Sequence, residues 1–540
     1  MSSRKFLSAI CLLLALALAP PPAGAEEFFV DGYVCAADVS ETGDHDRKSV
    51  AGYDNAYDLF TDHANGYRLL IPKGSFVDIS ATSLRNVFET PSLAVEIYHD
   101  NFSGKAAGFH ELVNYSNKFL RRGIAHRVTA EYPATVGGCP AVTSKWSRGK
   151  LSRVENDKNY YTATSVRRSR DETYTIMVKS ALPGDDRAER ITESFSFIER
   201  QGTPRDGRQP YAGTSPMNPA TRAVYEEIFS SGSGLTWGIF ENSAPQTFRQ
   251  LAEKERALGH RFKILLRYQS VDEPLPLAQL ERAWQRGRLV ELTLATIHDA
   301  GADALKTEGA TANALVSYEI LNGHYDEYFA AYARDLKKFG KPVLFRLNNE
   351  MNGDWCWYSA FYTARDPRIY VELWRYIRKL FDEAGVDNLI WIWNPHDASL
   401  PDFAWNSFAA YYPGDEYVDV VGLTGYNAGT YFPGEKWRAF DEIYRPLYEK
   451  YLSFFAKPFM ITEFSSNSVG GDKAAWIRDM FAKIAKYPNI KAAVWWNGVD
   501  YDRSGHPGRV YLVDDSPEVA AALSEGLRAY PSSALAATDE

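Results

Sequence analysis

The sequence predicts an α/β protein, a (β/α)8 TIM barrel preceded by a smaller α+β domain, and three observations carry that prediction. The 540 residues exceed the size at which one hydrophobic core stops growing. The rhythm of the chain changes near Leu235, from strands that follow one another to short apolar strands alternating with amphipathic helices. Eight such strands fall in about 300 residues, the usual size of a closed parallel barrel.

The elements follow in order. Arg4 and Lys5, the apolar run Phe6 to Leu18 and the small residues Ala23-Gly24-Ala25 make residues 1–25 an expected signal peptide, too short in its apolar part to span a bilayer. Cys11 lies inside that run, which argues against a lipid-modified cysteine. The mature chain is therefore expected to be secreted or held in the cell envelope. Residues 26–200 predict strands at Tyr67–Ile71, Leu93–Tyr98, His126–Tyr132, Ala141–Trp146, Tyr160–Val166 and Tyr174–Lys179, the last two joined by the polar turn 167–172. Helical stretches are expected near Phe109–Leu120 and Ala188–Phe197, and the closing run 191–197 weakly resembles PsbP/Mog1-like domains. Residues 201–222, rich in Gly, Pro, Arg and Ser without periodicity, read as a linker, and 223–540 as the barrel.

Barrel strands are predicted at Leu235–Phe240, Phe262–Tyr268, Val290–Ile297, Val343–Leu347, Leu389–Trp393, Val418–Leu423, Phe459–Phe464 and Ile490–Trp496. Between them, Tyr325, Tyr328, Phe329, Tyr332, Leu336 and Phe339 recur at helical spacing and stop at Gly340. Tyr370 to Phe381 repeat the pattern and stop at Gly385.

Composition narrows the partners. Without the leader, 58 basic residues face 69 acidic ones, a formal charge of −11. Such a chain, with no basic run, suits neither nucleic acid nor an anionic membrane, and no later segment is apolar enough to span one. A neutral polymer fits better. Cys35 and Cys139 are candidates for a disulfide in an oxidising compartment, which leaves Cys356 over. No Cys/His cluster has metal-ligand spacing, so neither cofactor nor metal is expected.

In this fold the site forms at the C-terminal strand ends. The fourth strand ends in Arg346-Leu347-Asn348-Asn349-Glu350 and the seventh in Thr462-Glu463-Phe464, and these strands lie nearly opposite each other. Two facing carboxylates are what glycosidic cleavage needs: one protonates the leaving oxygen and the other attacks the anomeric carbon. A gap of roughly 5–5.5 Å leaves no room for an attacking water and gives retention. Like charges so close would keep one member protonated near neutral pH.

Longer motifs surround these residues. They are Arg346-x-x-Asn349-Glu350-Met351-Asn352-Gly353-Asp354-Trp355, then Trp391-Ile392-Trp393-Asn394-Pro395, then Tyr412-Pro413-Gly414-Asp415 through Gly425-Tyr426-Asn427. Lys457-Pro458-x-Met460-Ile461-Thr462-Glu463, Gly471 to Ile477 and Ala493-Val494-Trp495 complete the set. On them, residues 230–510 resemble glycoside hydrolase family 26, whose members include endo-β-1,4-mannanases and some β-glucanases and xylanases.

The resemblance implies Glu350 as acid/base, Glu463 as nucleophile, Tyr426 as a hydrogen-bond donor that helps to keep the nucleophile ionised, and Trp355 as a stacking platform for a sugar ring. Arg346, one barrel layer below the acid, is placed to orient or charge-balance the carboxylates. Trp495 or Trp496 would also stack, and strand alternation lets only one face the mouth. His298 at the end of the third strand, Glu241 and Asn242 at the end of the first, and His396 after the fifth are further cleft candidates. In one place the chain departs from the family pattern: Asn349 stands where the family usually has His. An amide there keeps a donor for the sugar 2-hydroxyl but changes its shape, which leaves mannan, β-glucan and xylan open as substrates. The expected activity is endo-acting cleavage of a β-1,4-linked, mannan-like polysaccharide. The rival of a different class is a catalytically silent polysaccharide-binding envelope protein, with the N-terminal domain as its attachment unit.

Overall fold

The computed structural model describes residues 25–30, 33–38, 48–206, 213–298 and 308–530. Residues 1–24 of the expected leader and the side chain of Cys35, needed for the suggested disulfide, lie outside the described residues. The chain divides into two compact units, 1–113 with 127–150 and 156–207, and 114–126 with 151–155 and 208–540.

The first unit is built on antiparallel sheets. Seven strands, in the order Phe76–Asp78, Arg85–Glu89, Leu93–Asn101, Glu172–Ser180, Tyr160–Arg167, Cys139–Arg148 and His126–Val136, form one sheet. Ser196–Phe197, Tyr67–Pro72, Tyr57–Asp62 and Lys48–Gly52 form another. The helix Arg187–Ser194 turns Ile191 into a core that also holds Phe60, Tyr67, Leu69, Ile97, Tyr174, Ile176 and Phe195. The polar turn at 167–172 is a hairpin, with Arg167 opposite Thr173.

In the second unit, β1 (Thr236–Phe240), β2 (Ile264–Ser270), β3 (Leu289–Ala295), β4 (Val343–Leu347), β5 (Leu389–Trp393), β6 (Val420–Thr424), β7 (Phe459–Phe464) and β8 (Ile490–Trp496) close into one parallel barrel. Its lower interior is apolar: Ile264, Leu289, Leu344, Ile390, Val420, Met460 and Ala492 share a core with Val224, Ile228 and Phe229. Those last three lie on α1 (Pro219–Phe229), whose packing puts it at the floor of the barrel. Gly238 on β1 is required by this interior, because a Cβ there would stand 2.8 Å from both Ile264 Cβ and Val494 Cγ2. The two periodic helices run Asp326–Phe339 and Arg368–Glu383. The first ends at Gly340, left-handed at φ 59°, whose N–H returns to the Leu336 carbonyl.

Two boundaries differ from the sequence reading. The stretch 201–222 is not one linker. Gln201 N–H bonds the His63 carbonyl, Asp206 accepts from Ser83 N–H at 2.7 Å, and Ser215 N–H bonds Asp419 at 2.7 Å. Asn218 then caps α1 through Thr221 N–H, with Pro219 in the first turn. Turn-type residues that look like linker composition serve here as tethers and a cap. Nor is 26–200 one contiguous body, since 114–126 and 151–155 belong with the barrel's unit. Phe119 packs edge-on against Tyr362 at 4.9 Å, and Trp405 Nε1 donates to Ser116 Oγ at 3.0 Å.

Candidate active site

The upper half of the barrel interior is polar. On β4, Leu344 points to the apolar core, and alternation then sends Arg346 inward one layer higher, fully buried. Its Nε donates to Thr293 Oγ1 at 2.7 Å, and its Nη1 donates to Asn394 Oδ1 at 3.0 Å and to Glu463 Oε1 at 2.9 Å.

Glu463 reaches this point because β7 is irregular. Thr462 already faces inward, bonding Thr424 Oγ1 at 3.0 Å, so strict alternation would turn Glu463 away. The ladder to β6 jumps from Leu423↔Ile461 to Thr424↔Glu463, which inserts one extra residue. A bulge of this kind re-aims the side chain that follows it. Four donors converge on the carboxylate: Arg346 and Asn349 Nδ2 (3.5 Å) on Oε1, Tyr426 (3.2 Å) and Tyr268 on Oε2. An ionised carboxylate only accepts hydrogen bonds, and it suits such a cage.

Glu350 is positioned by backbone strain. Asn348 and Glu350 adopt φ 57° and 51°, a left-handed region that such residues seldom visit. The conformation is pinned by Asn348 N–H on the Leu294 carbonyl, Thr296 N–H on Asn348 Oδ1 and Glu350 N–H on the Asn394 carbonyl, all within 2.9 Å. The Glu350 carboxyl accepts Trp355 Nε1 at 2.9 Å and lies 3.8 Å from His396 Nε2. Burial pushes its pKa above the ordinary carboxylate range and the charge of Glu463 adds to this, against the opposing pull of His396, Trp355 and Arg346. One carboxylate is thus caged by donors while its neighbour favours holding a proton, the division of labour an acid/nucleophile pair requires.

The other expected residues separate. Trp355 is 44% exposed and stands edge-on to His396 at 5.1 Å. Trp496 faces the mouth, stacked on Phe240 at 5.4 Å and edge-on to Tyr426. Trp495 does not: it is buried against Phe464 and its Nε1 donates to the Tyr511 carbonyl, because alternation on β8 sends Ala492, Val494 and Trp496 inward. His298 bonds the Tyr325 hydroxyl at 2.9 Å and its backbone N–H bonds Asn313, and no contact with either carboxylate is found for it among the described residues. Glu241 is spent on its own turn, accepting from Ser243 and from Ala244 N–H. Asn349 is tied to Tyr358, whose hydroxyl lies 2.6 Å from its carbonyl and 3.0 Å from Oδ1.

Sequence reasoning missed Tyr268 and Glu291. Tyr268 near the C-terminal end of β2 donates to Glu463, and burial followed by that charge raises its phenol well above the usual value, so it stays a donor. Its signal was position alone, at a strand end. Glu291 left a clearer one, a carboxylate within the apolar run Leu289-Val290-Glu291-Leu292.

The family model described as Glycosyl hydrolase family 26 matches residues 300–453, a stretch that contains Glu350. Endoglucanase H of Acetivibrio thermocellus is 33% identical over 215 residues, 39% of this chain and 23% of that protein. A mannan endo-1,4-beta-mannosidase of Bacillus subtilis is 31% identical over 221 residues, 40% of this chain and 52% of that protein. The chain therefore spans about half, or less, of the length of these relatives. The solved Bacillus subtilis mannanase man26 is 21% identical, with 56% of this chain and 93% of that chain covered at a TM-score of 0.36. Over residues 300–453 the chain is similar to glycosyl hydrolase family 26, and over about two fifths of its length to these two curated relatives.

Proposed function

We propose that the protein is an exported, endo-acting glycoside hydrolase that cleaves a β-1,4-linked, mannan-like polysaccharide with retention. Glu463 attacks the anomeric carbon as Glu350 gives its proton to the departing glycosidic oxygen, leaving a glycosyl ester on Glu463 and an ionised Glu350. Glu350 then takes a proton from water, whose oxygen displaces Glu463 and restores both groups. The observation that carries this reading is the contrast between the two carboxyls: four donors on Glu463, and a burial-raised pKa on Glu350. Arg346, Tyr268 and Tyr426 aim the nucleophile, Trp355 and Trp496 offer aromatic faces to sugar rings, and Asn349, whose Nδ2 lies 3.5 Å from Glu463 Oε1, is assigned to the 2-hydroxyl. The export assignment rests on residues 1–25, and cell fractionation tests it.

A β-glucanase is the second reading, favoured by Asn349 and by the endoglucanase among the relatives. Reducing-sugar release from mannan, lichenan and xylan in parallel separates the two, with NMR of the first anomer released reporting the stereochemistry. A β-anomer is expected. An α-anomer ends the retaining reading, and binding without turnover of any of the three ends the enzyme reading.

A further inference from the structure

Below the two carboxylates, β3 carries a third into the barrel. Leu289, Glu291 and Thr293 point inward in turn, Leu289 into the apolar core and Thr293 to Arg346. Glu291 is fully buried, and neither of its oxygens accepts a hydrogen bond among the described residues. The nearest cation is Arg346, with Nε 3.3 Å from Oε1 while that Nε–H is committed to Thr293 Oγ1 at 2.7 Å. The charged and titratable groups that face Glu291 are Arg346 from β4, Tyr268 from β2 and Glu463 from β7. Ionised, Glu291 would be a buried charge facing Arg346, and would compete with Glu463 for that one guanidinium. Burial pushes its pKa up to about 8, Arg346 opposing and Glu463 adding to the rise.

We infer that Glu291 is a positioning residue whose neutral carboxyl props Arg346 beneath Glu463 and leaves the guanidinium charge undivided for that candidate nucleophile. The inference rests on the proposed reading in one respect, that Glu463 is the attacking group. When Glu291 loses its proton, Arg346 is shared between two carboxylates, the aim of Glu463 loosens and the attack slows.

The test uses a 2,4-dinitrophenyl β-mannobioside or β-cellobioside, whichever the wild type cleaves. This leaving group departs without a proton from Glu350, so kcat/KM reports attack by Glu463. In the wild type kcat/KM should fall about 10-fold through one ionisation on the alkaline side. Glu291→Leu, which removes the polar end, should lower kcat about 100-fold with KM within about 3-fold. Glu291→Gln, a neutral near-isostere, should restore most of kcat and abolish the alkaline fall. A Gln variant that keeps the wild-type fall, or a Leu variant with wild-type kcat, overturns the proposal.

Should neither variant fold, infrared spectroscopy of the wild type and of Glu350→Gln decides. A protonated-carboxyl band that persists in Glu350→Gln near neutral pH and disappears on alkaline titration supports a neutral Glu291, and its absence overturns it. A wild type that cleaves neither glycoside and none of the three polysaccharides sinks the hydrolase reading instead, and the infrared band still reads the state of Glu291.

Discussion

Replacing Trp355 with Phe should move the alkaline limb of activity upward. Trp355 Nε1 donates to Glu350 Oε2 at 2.9 Å, and this bond favours the charged carboxylate. Phe keeps a flat ring for the sugar and removes the donor. Glu350 then holds its proton to higher pH, and because its proposed role needs the protonated form, activity should persist to higher pH. A hydrogen bond to a charged group contributes about 1.5–3 kcal/mol. Trp355 is 44% exposed, so water replaces part of the lost donor and about half of that survives, roughly 0.7–1.4 kcal/mol. At 1.36 kcal/mol per pH unit the limb should rise by about 0.5–1 unit. The assay is kcat/KM against pH on the polymer, which reports the free enzyme, where this hydrogen bond exists. A dinitrophenyl glycoside serves as control, since it needs no acid and its profile should not move with the substitution. An unmoved or lowered limb in a folded Trp355→Phe protein refutes the reasoning, as does an equal shift on both substrates.

Other substitutions test stability and specificity. Gly238→Ala forces a Cβ to within 2.8 Å of Ile264 and Val494, overpacking that should cost about 1–3 kcal/mol and lower Tm by roughly 3–10 °C in a thermal melt; a melt within a degree of wild type means that the interior yields more easily than argued. Glu255→Gln breaks a fully buried pair with Arg288, held at 2.5 and 2.6 Å, and should cost about 3–5 kcal/mol in denaturant titration. A loss under about 1 kcal/mol would show that the pair is replaceable. Asn349→His, measured as kcat/KM on mannan against lichenan, should raise the ratio of the two by about 10-fold. An unchanged ratio removes residue 349 from the determinants of specificity.

What the sequence made legible depended on whether local pattern and tertiary demand agreed. β4, β5, β7 and β8 begin and end where apolar runs do, and Gly340 stops its helix because only a residue tolerant of φ 59° closes that turn. In the first unit the strands Tyr57–Asp62 and Arg85–Glu89 went unseen. Asp62, Asn65 and Asn86 look like turn residues, yet they are buried, with both amides donating to Asp62 Oδ2 at 2.8 and 2.9 Å. A hydrogen-bonded polar cluster inside a core leaves no apolar periodicity to read. At the site, Glu463 was legible from its place at the end of an apolar strand, although the bulge on β7 defeats alternation where the side chain matters most. The choice between Trp495 and Trp496 needed only the inward parity of Ala492 and Val494, which the closed barrel supplies and an isolated strand does not.

The same parity explains why the third carboxylate lies where it does. Going up the barrel from Leu289 and Leu344, the next inward positions are Glu291 and Arg346, and the layer is completed by Thr293, Asn394, Thr424 and Thr462. Asn394 Nδ2 donates to Thr424 Oγ1 at 3.0 Å while its Oδ1 accepts from Arg346, so the guanidinium is anchored by a chain of neutral side chains. No member of that chain projects from the mouth as Trp355 does. Substitutions within it should therefore lower kcat through the aim of Glu463 and leave KM nearly unmoved, whereas substitutions at Trp355 and Trp496 should move KM. A variant at Thr424 or Asn394 that raises KM while sparing kcat would show that the layer touches the sugar directly, and that the barrel interior is not divided between a support and a binding face.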